Sequence, residues 1–296
     1  MPSSRARGTR KLRRFLPLPP AMSADSIAAL RQRPIGVFDS GVGGLTVLRA
    51  LRAELPQEHF VYVSDSGHAP YGEKTGAFVA GRCQAIAAQL LAEHGIKALV
   101  IACNTATAAG ADGLRQAWPQ MPVIGIEPAL KPAAALTRTR RVGVLATRGT
   151  LQSTRFARLL AAQPLHVQFV AQPCDGLADA IEKEIARPAW ERAGELIARY
   201  LAALGPLGHE PGAIDTLVLG CTHYPLAESL WQRHAGSEVA LLEPGPPVAR
   251  HTRRRLAAAH LLNEGTAAGQ VHLLDTGDAT ALRAAACRLQ LTDSAS

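Results

Sequence analysis

A chain of 296 residues with 47% apolar content is long enough for one large or two ordinary domains, and it holds no apolar run long enough to span a bilayer. Its net charge of +8 suggests a nucleic-acid partner until the charge is located. Residues 1–33 carry eight basic residues against Asp25 alone, and the rest of the chain has 24 basic residues against 23 acidic ones, so the core presents no basic field for nucleic acid.

Residues 1–33 are basic, proline-containing and without hydrophobic periodicity, which predicts a disordered extension. Their apolar stretch, 15–21, is broken by prolines and too short for a secretory signal. The body opens with Ile35-Gly36-Val37-Phe38-Asp39-Ser40-Gly41-Val42-Gly43-Gly44, a buried strand ending in an acid and followed by a glycine-rich turn into a helix at 45–54. Such a turn lets a ligand approach the backbone closely, but it lacks the Walker lysine and the dinucleotide spacing. A strand at 60–64, a turn-rich loop at 65–72 and a helix at 76–94 follow. The apolar run Val100-Ile101-Ala102 then ends in Cys103-Asn104-Thr105, a helix start, and a short strand is expected at 123–126.

Arg141-Val142-Gly143-Val144-Leu145-Ala146-Thr147 resembles the opening strand and begins a second cycle. From Gly36 to Cys103 is 67 residues, and from Gly143 to Cys221 is 78. A strand is expected at 167–170, helices over 176–204 divided at Pro188 and closed by Gly205, and the apolar run Val218-Leu219 leads to Cys221-Thr222-His223-Tyr224-Pro225. A strand at 239–242, a helix at 248–262, a strand at 271–274 and a short helix packing back on the first half finish the chain. This order predicts an α/β protein of two similar parallel-sheet lobes facing each other across a cleft. Lobe A is 34–127 plus about 243–296, with Asp39 and Cys103. Lobe B is 128–242, with Cys221 and His223.

The five cysteines are odd in number and form no C-x-x-C pair, which argues against a disulfide framework or a structural zinc site and fits a reducing, cytoplasmic setting. Cys83, Cys174 and Cys287 read as packing residues. Cys103 and Cys221 each stand at a strand's carboxyl end beside a helix start, where open α/β sheets bind ligands and a thiol pKa is pulled down. Each has an ionisable companion: His223 two residues after Cys221, and Asp39 within reach of Cys103 if their strands are neighbours. A thiol and a thiolate flanking one carbon could take a proton from one face and deliver another to the opposite face. Ser40, Asn104, Thr105, Thr222 and the helix-start N–H groups could bind carboxylates and stabilise enolate-like charge. Cys221 as nucleophile with His223 as base, a cysteine hydrolase, is the rival reading, and it leaves Cys103 without a role.

Phe38-Asp39-Ser40-Gly41-Val42-Gly43-Gly44, Pro70-Tyr71-Gly72, Cys103-Asn104-Thr105-Ala106 and Gly220-Cys221-Thr222-His223-Tyr224-Pro225-Leu226 together resemble the bacterial glutamate racemases, from about Ile35 to the C-terminal helix. The resemblance implies interconversion of L- and D-glutamate without pyridoxal phosphate, metal or other cofactor, supplying D-glutamate for peptidoglycan. It implies that Cys103 and Cys221 are the two acid/base residues, assisted by Asp39 and His223, with Cys103 taking the proton from D-glutamate and Cys221 from L-glutamate. Asp39, Ser40, Tyr71, Gly72, Asn104, Thr105, Thr222 and His223 would line the substrate site. Thr147, Thr150 and Glu182 match the family more loosely, as a threonine-rich turn and a carboxylate near the histidine. A partner beyond small-molecule glutamate is not implied, a homodimer is compatible, and a racemase of aspartate or hydantoins is the alternative within the superfamily. Pro173-Cys174 reverses the family's usual Cys-Pro, and in Asp275-Thr276-Gly277-Asp278 the Asp275 stands where many members have a Thr or Ser before the Thr-Gly-Asp.

Overall fold

The computed structural model describes residues 24–186 and 189–291. The nine strands among them form two wholly parallel sheets. The first contains β1 (Ile35–Asp39), β2 (Phe60–Ser64), β3 (Ala98–Ile101), β4 (Val123–Gly125) and β9 (Val271–Asp275), in the order β4-β3-β1-β2-β9. The second contains β5 (Arg141–Ala146), β6 (Gln168–Pro173), β7 (Thr216–Leu219) and β8 (Ala240–Leu242), in the order β6-β5-β7-β8. Read from the other edge, the second sheet repeats the order of the first four strands. The repeat holds in register too: Gly36 pairs with Leu99 and Gly143 with Leu217, and each cysteine lies four residues beyond the partner of its glycine. In both lobes the glycine leaves room for apolar neighbours. A Cβ on Gly36 would come within 2.8 Å of Ile96 Cδ1, and one on Gly143 within 2.6 Å of Leu217 Cδ2.

Central strands read as unbroken apolar runs because both faces are covered. β1, β2, β3 and β7 are buried at every residue, and their sequences show it. The edge strand β6, Gln-Phe-Val-Ala-Gln-Pro, is half exposed, so it extends past the four-residue apolar segment expected at 167–170. The helix expected at 248–262 occupies Gly245–Ala258, because its prolines sit in the first turn, where no N–H is required. The helices Leu177–Ile185 and Glu191–Leu204 flank the break expected at Pro188, which lies outside the described residues, and Gly205 closes the second at φ +100°.

Two placements differ from expectation. Residues 24–32 of the expected disordered extension form a helix, tied down where Arg31 Nε donates to the His260 carbonyl at 3.0 Å and Lys97 Nζ donates to the Arg31 carbonyl. The C-terminal helix Thr280–Arg288 contacts Leu177–Ile185 of the second lobe, so it bridges the lobes although β9 pairs with β2 of the first. Among the described residues no helix is long and apolar enough to cross a membrane.

Candidate active site

In a parallel sheet the loops at the carboxyl ends of the strands gather at one edge, and the crevice forms where the order reverses about the first strand. Both lobes present that edge to a shared cavity of about 240 Å³. Ser40 follows β1, Ser66 and Tyr71 follow β2, Cys103 follows β3, Thr147 follows β5, Cys174 follows β6 and Cys221 follows β7; all of them line it.

Cys103 caps the helix Asn104–Ala117, its Sγ accepting from the Ala106 N–H at 3.4 Å. That cap does not lower the thiol's pKa as expected. Burial pushes the thiol well above its ordinary value and the nearby Asp39 charge adds to the rise, because one N–H···S bond cannot replace the water a thiolate loses. Cys103 Sγ lies 3.8 Å from Ser40 Oγ, which in turn lies 3.4 Å from Asp39 Oδ1. Asp39 is fully buried beneath the cavity wall rather than on it. Burial raises its carboxyl to about 6, against the opposing effects of His223 and of hydrogen bonds from the Gly41 N–H and the Thr222 hydroxyl, each at 2.9 Å.

The second thiol has a matching arrangement. Cys221 Sγ lies 3.8 Å from His223 Nδ1, and His223 Nε2 meets Glu182 Oε2. Burial alone would lower the His223 pKa, but Cys221 and Glu182 hold it well above the ordinary value. Burial alone would raise the Glu182 carboxyl, but His223 and the Val42 N–H, 3.2 Å away, hold it below the usual range. Two chains of thiol, polar intermediary and carboxylate therefore flank one cavity: Cys103–Ser40–Asp39 from the first lobe and Cys221–His223–Glu182 from the second. Each carboxylate also bonds across the cleft, Asp39 to Thr222 and Glu182 to Val42.

The glycine-rich turn between β1 and its helix receives side chains of the opposite lobe. A Cβ on Gly43 would stand 2.5 Å from His223 Nδ1, and one on Gly41 would overlap the Glu182 carboxylate. Thr105 of the first lobe bonds Thr147 of the second at 3.0 Å, and Thr147 bonds Thr150 at 2.9 Å. Thr150 lies behind the cavity wall, whereas Tyr71, Gly72, Thr105, Thr147 and Thr222 are on it. Asn104 is buried and lines the cavity with both amide atoms free of any protein partner, as a group reserved for a ligand would be.

Sequence reasoning missed several lining residues, among them Ser66, Arg148, Asp175 and Lys183. Polar spacing was the available signal for Lys183, since Asp179, Glu182 and Lys183 share a helix with one apolar face. Ser66 opens a single 3-10 turn and Asp175 sits in a turn, where no periodicity marks them. Of the three cysteines read as packing, Cys83 is buried away from the cavity, Cys174 is buried but lines it, and Cys287 is exposed on its helix. Among the described residues no group of three or more His, Cys, Asp or Glu side chains is placed to hold a metal ion.

Residues 44–252 match the family described as Asp/Glu/Hydantoin racemase. The chain is 50% identical over 240 residues to the glutamate racemase of Pseudomonas aeruginosa strain PAO1, covering 81% of this chain and 88% of the relative. Among solved structures it is similar to a glutamate racemase isoform of Bacillus anthracis, with TM-score 0.77 and 31% identity, covering 89% of this chain and 96% of that one. It is also similar to Escherichia coli glutamate racemase in complex with L-glutamate and the activator UDP-MurNAc-ala, with TM-score 0.73 and 30% identity, covering 88% and 95%.

Proposed function

The chain belongs to the Asp/Glu/hydantoin racemase family, alongside its glutamate racemases, and from that premise we propose that it interconverts L- and D-glutamate by a two-base exchange between Cys103 and Cys221. It is an isomerase. The observation that carries the mechanism is the pair of thiol–intermediary–carboxylate chains entering one cavity from opposite lobes. One sulfur, as thiolate, takes the Cα proton, and the other, as thiol, gives its proton to the opposite face. The electron pair left on Cα is held as an enolate-like carboxylate until the second proton arrives, so nothing is oxidised or reduced. Cys103 accepts from D-glutamate and Cys221 from L-glutamate. Ser40 and Asp39 serve the first sulfur, His223 and Glu182 the second.

Asn104 with its unpartnered amide, the threonines at 105, 147 and 222, and the 71–72 turn supply neutral donors for the substrate's carboxylates. The product, D-glutamate, supplies peptidoglycan synthesis in the cytoplasm. The test is loss of optical activity from L-glutamate and from D-glutamate, with aspartate as control. Racemisation of aspartate but not glutamate would move the assignment within the family.

The Glu182–His223–Cys221 chain also has the form of a hydrolase triad. Ammonia released from an amide substrate, with no racemisation, would favour that reading, which leaves Cys103 unused.

A further inference from the structure

One wall of the cavity is a loop, and the buried Asp65 carboxylate gathers five of the contacts that hold it. Residues 66 and 69–73, which follow β2, line the cavity and include Tyr71 and Gly72. Asp65, at the start of this loop, is fully buried and is not on the cavity surface. Its carboxylate accepts from the Tyr71 hydroxyl at 2.5 Å, from Arg82 Nε at 2.9 Å and Nη2 at 2.8 Å, and from the Thr276 hydroxyl at 2.8 Å, and it meets His68 Nδ1 at 3.0 Å. The fork from Arg82, on the helix Gly76–His94, is the bidentate geometry that orients a carboxylate most firmly. The Asp65 N–H donates to the Asp39 carbonyl at 3.0 Å, so the hub begins beside the first catalytic chain.

The C-terminal stretch Asp275-Thr276-Gly277 closes the same hub. The Thr276 N–H donates to the Ser64 carbonyl at 3.0 Å, the Gly67 N–H donates to Thr276 Oγ1 at 3.2 Å, and Ser66 donates to Asp275. Gly277 is required by the close approach, since a Cβ there would stand 2.6 Å from Ser66 Oγ. Burial alone would push the Asp65 carboxyl up, but the bonds from Arg82, Tyr71 and Thr276 hold it below its ordinary value, so it remains an anion that can accept all of them. The Tyr71 hydroxyl is already committed to Asp65. Tyr71 therefore meets the substrate with its ring and backbone, and its hydroxyl fixes the loop.

We infer that Asp65 is a positioning residue for glutamate binding, holding the Tyr71–Gly72 wall in place through the Tyr71 hydroxyl while Arg82 and Thr276 lock the carboxylate. The inference rests on the glutamate reading of the cavity and concerns KM rather than the proton transfers. Without Asp65 the wall samples conformations in which the substrate is not enclosed, so binding weakens while the two sulfurs keep their own partners.

The test is steady-state racemisation of glutamate by the full chain carrying Asp65→Asn, Tyr71→Phe, Thr276→Val, or Asp65→Asn with Tyr71→Phe. Removing a hydrogen bond to a charged group predicts a rise in KM of about tenfold for Asp65→Asn and for Tyr71→Phe, with kcat changed by less than about threefold. The double variant should resemble the worse single variant, because both changes break one contact. A merely structural role lowers the active fraction, which reduces the apparent kcat at unchanged KM. An unchanged KM in the folded single variants, or fully multiplicative effects in the double variant, would overturn the inference. If Asp65→Asn does not fold, Tyr71→Phe and Thr276→Val, each removing one bond from the same carboxylate, decide it by the same KM criterion. Absence of glutamate racemisation by the unmodified chain would instead refute the glutamate reading itself.

Discussion

At the scale of single residues, the site depends on how burial and neighbours set charge. Cys221 and Glu182 together hold the His223 pKa above its ordinary value, so a neutral residue in place of Glu182 should weaken the imidazole's hold on its proton. Glu182→Gln is expected to lower the His223 pKa and move the corresponding limb of the pH–rate profile to lower pH. It should also lower kcat/KM by about tenfold to a hundredfold, the range for disturbing one acid–base partner. An unmoved profile would show that Glu182 only fills space.

Asp39 makes a prediction about stability. Burial raises its carboxyl from 3.8 to about 6, so between those values the native chain binds a proton that the unfolded chain has released. Stability contributed by this group is full below the unfolded value, falls as pH rises through the window, and is lost above about 6; the size is at most about 3 kcal/mol. Asp39→Asn has no such titration. Denaturant unfolding at about pH 4 and about pH 7.5 should show a smaller stability difference in the variant than in the parent, after common shifts from other groups. Equal differences would contradict the burial argument. If Asp39 serves Cys103 as proposed, the same substitution should lower kcat for D-glutamate more than for L-glutamate, while kcat/KM falls equally in both directions because the enantiomers have equal free energy.

At the scale of elements, strands buried on both faces were legible, and β1, β2 and β3 fall where their apolar runs stand. The half-exposed β6 was read short because an edge strand leaves no continuous run. The glycine-rich turn was legible as a place of close approach, but not as to what approaches. It is seated against Glu182, Thr222 and His223 of the other lobe, which lie 140 or more positions further along the chain, and no local pattern reports such a pairing. Gly41→Ala is therefore expected to displace Glu182 from His223 and reduce racemisation at least as much as Glu182→Gln, with the fold kept. Circular dichroism alongside the rate assay checks this; full activity would mean that the turn yields without moving Glu182.

At the scale of the whole molecule, the proposed two-base exchange needs both lobes, because inversion at carbon needs groups on two faces. Each lobe alone supplies one thiol with its companion, the thiol following β3 in one lobe and its counterpart β7 in the other. That duplication was visible in the spacing of Gly36 with Cys103 and of Gly143 with Cys221. The ties that join the halves were not. Asp39 reaches Thr222, Thr105 reaches Thr147, and the helix Thr280–Arg288 crosses to Leu177–Ile185. They arise only when the lobes face each other, so nothing in either half announces them. The most direct measurement is racemisation of each enantiomer in deuterated water, with Cα isotope content followed separately in product and in recovered substrate at low conversion. Two bases predict product labelled at Cα in every turnover, recovered substrate unlabelled, and no racemisation by Cys103→Ala or Cys221→Ala. Product that keeps the substrate's own hydrogen, or undiminished racemisation by either variant, would contradict the two-cysteine account.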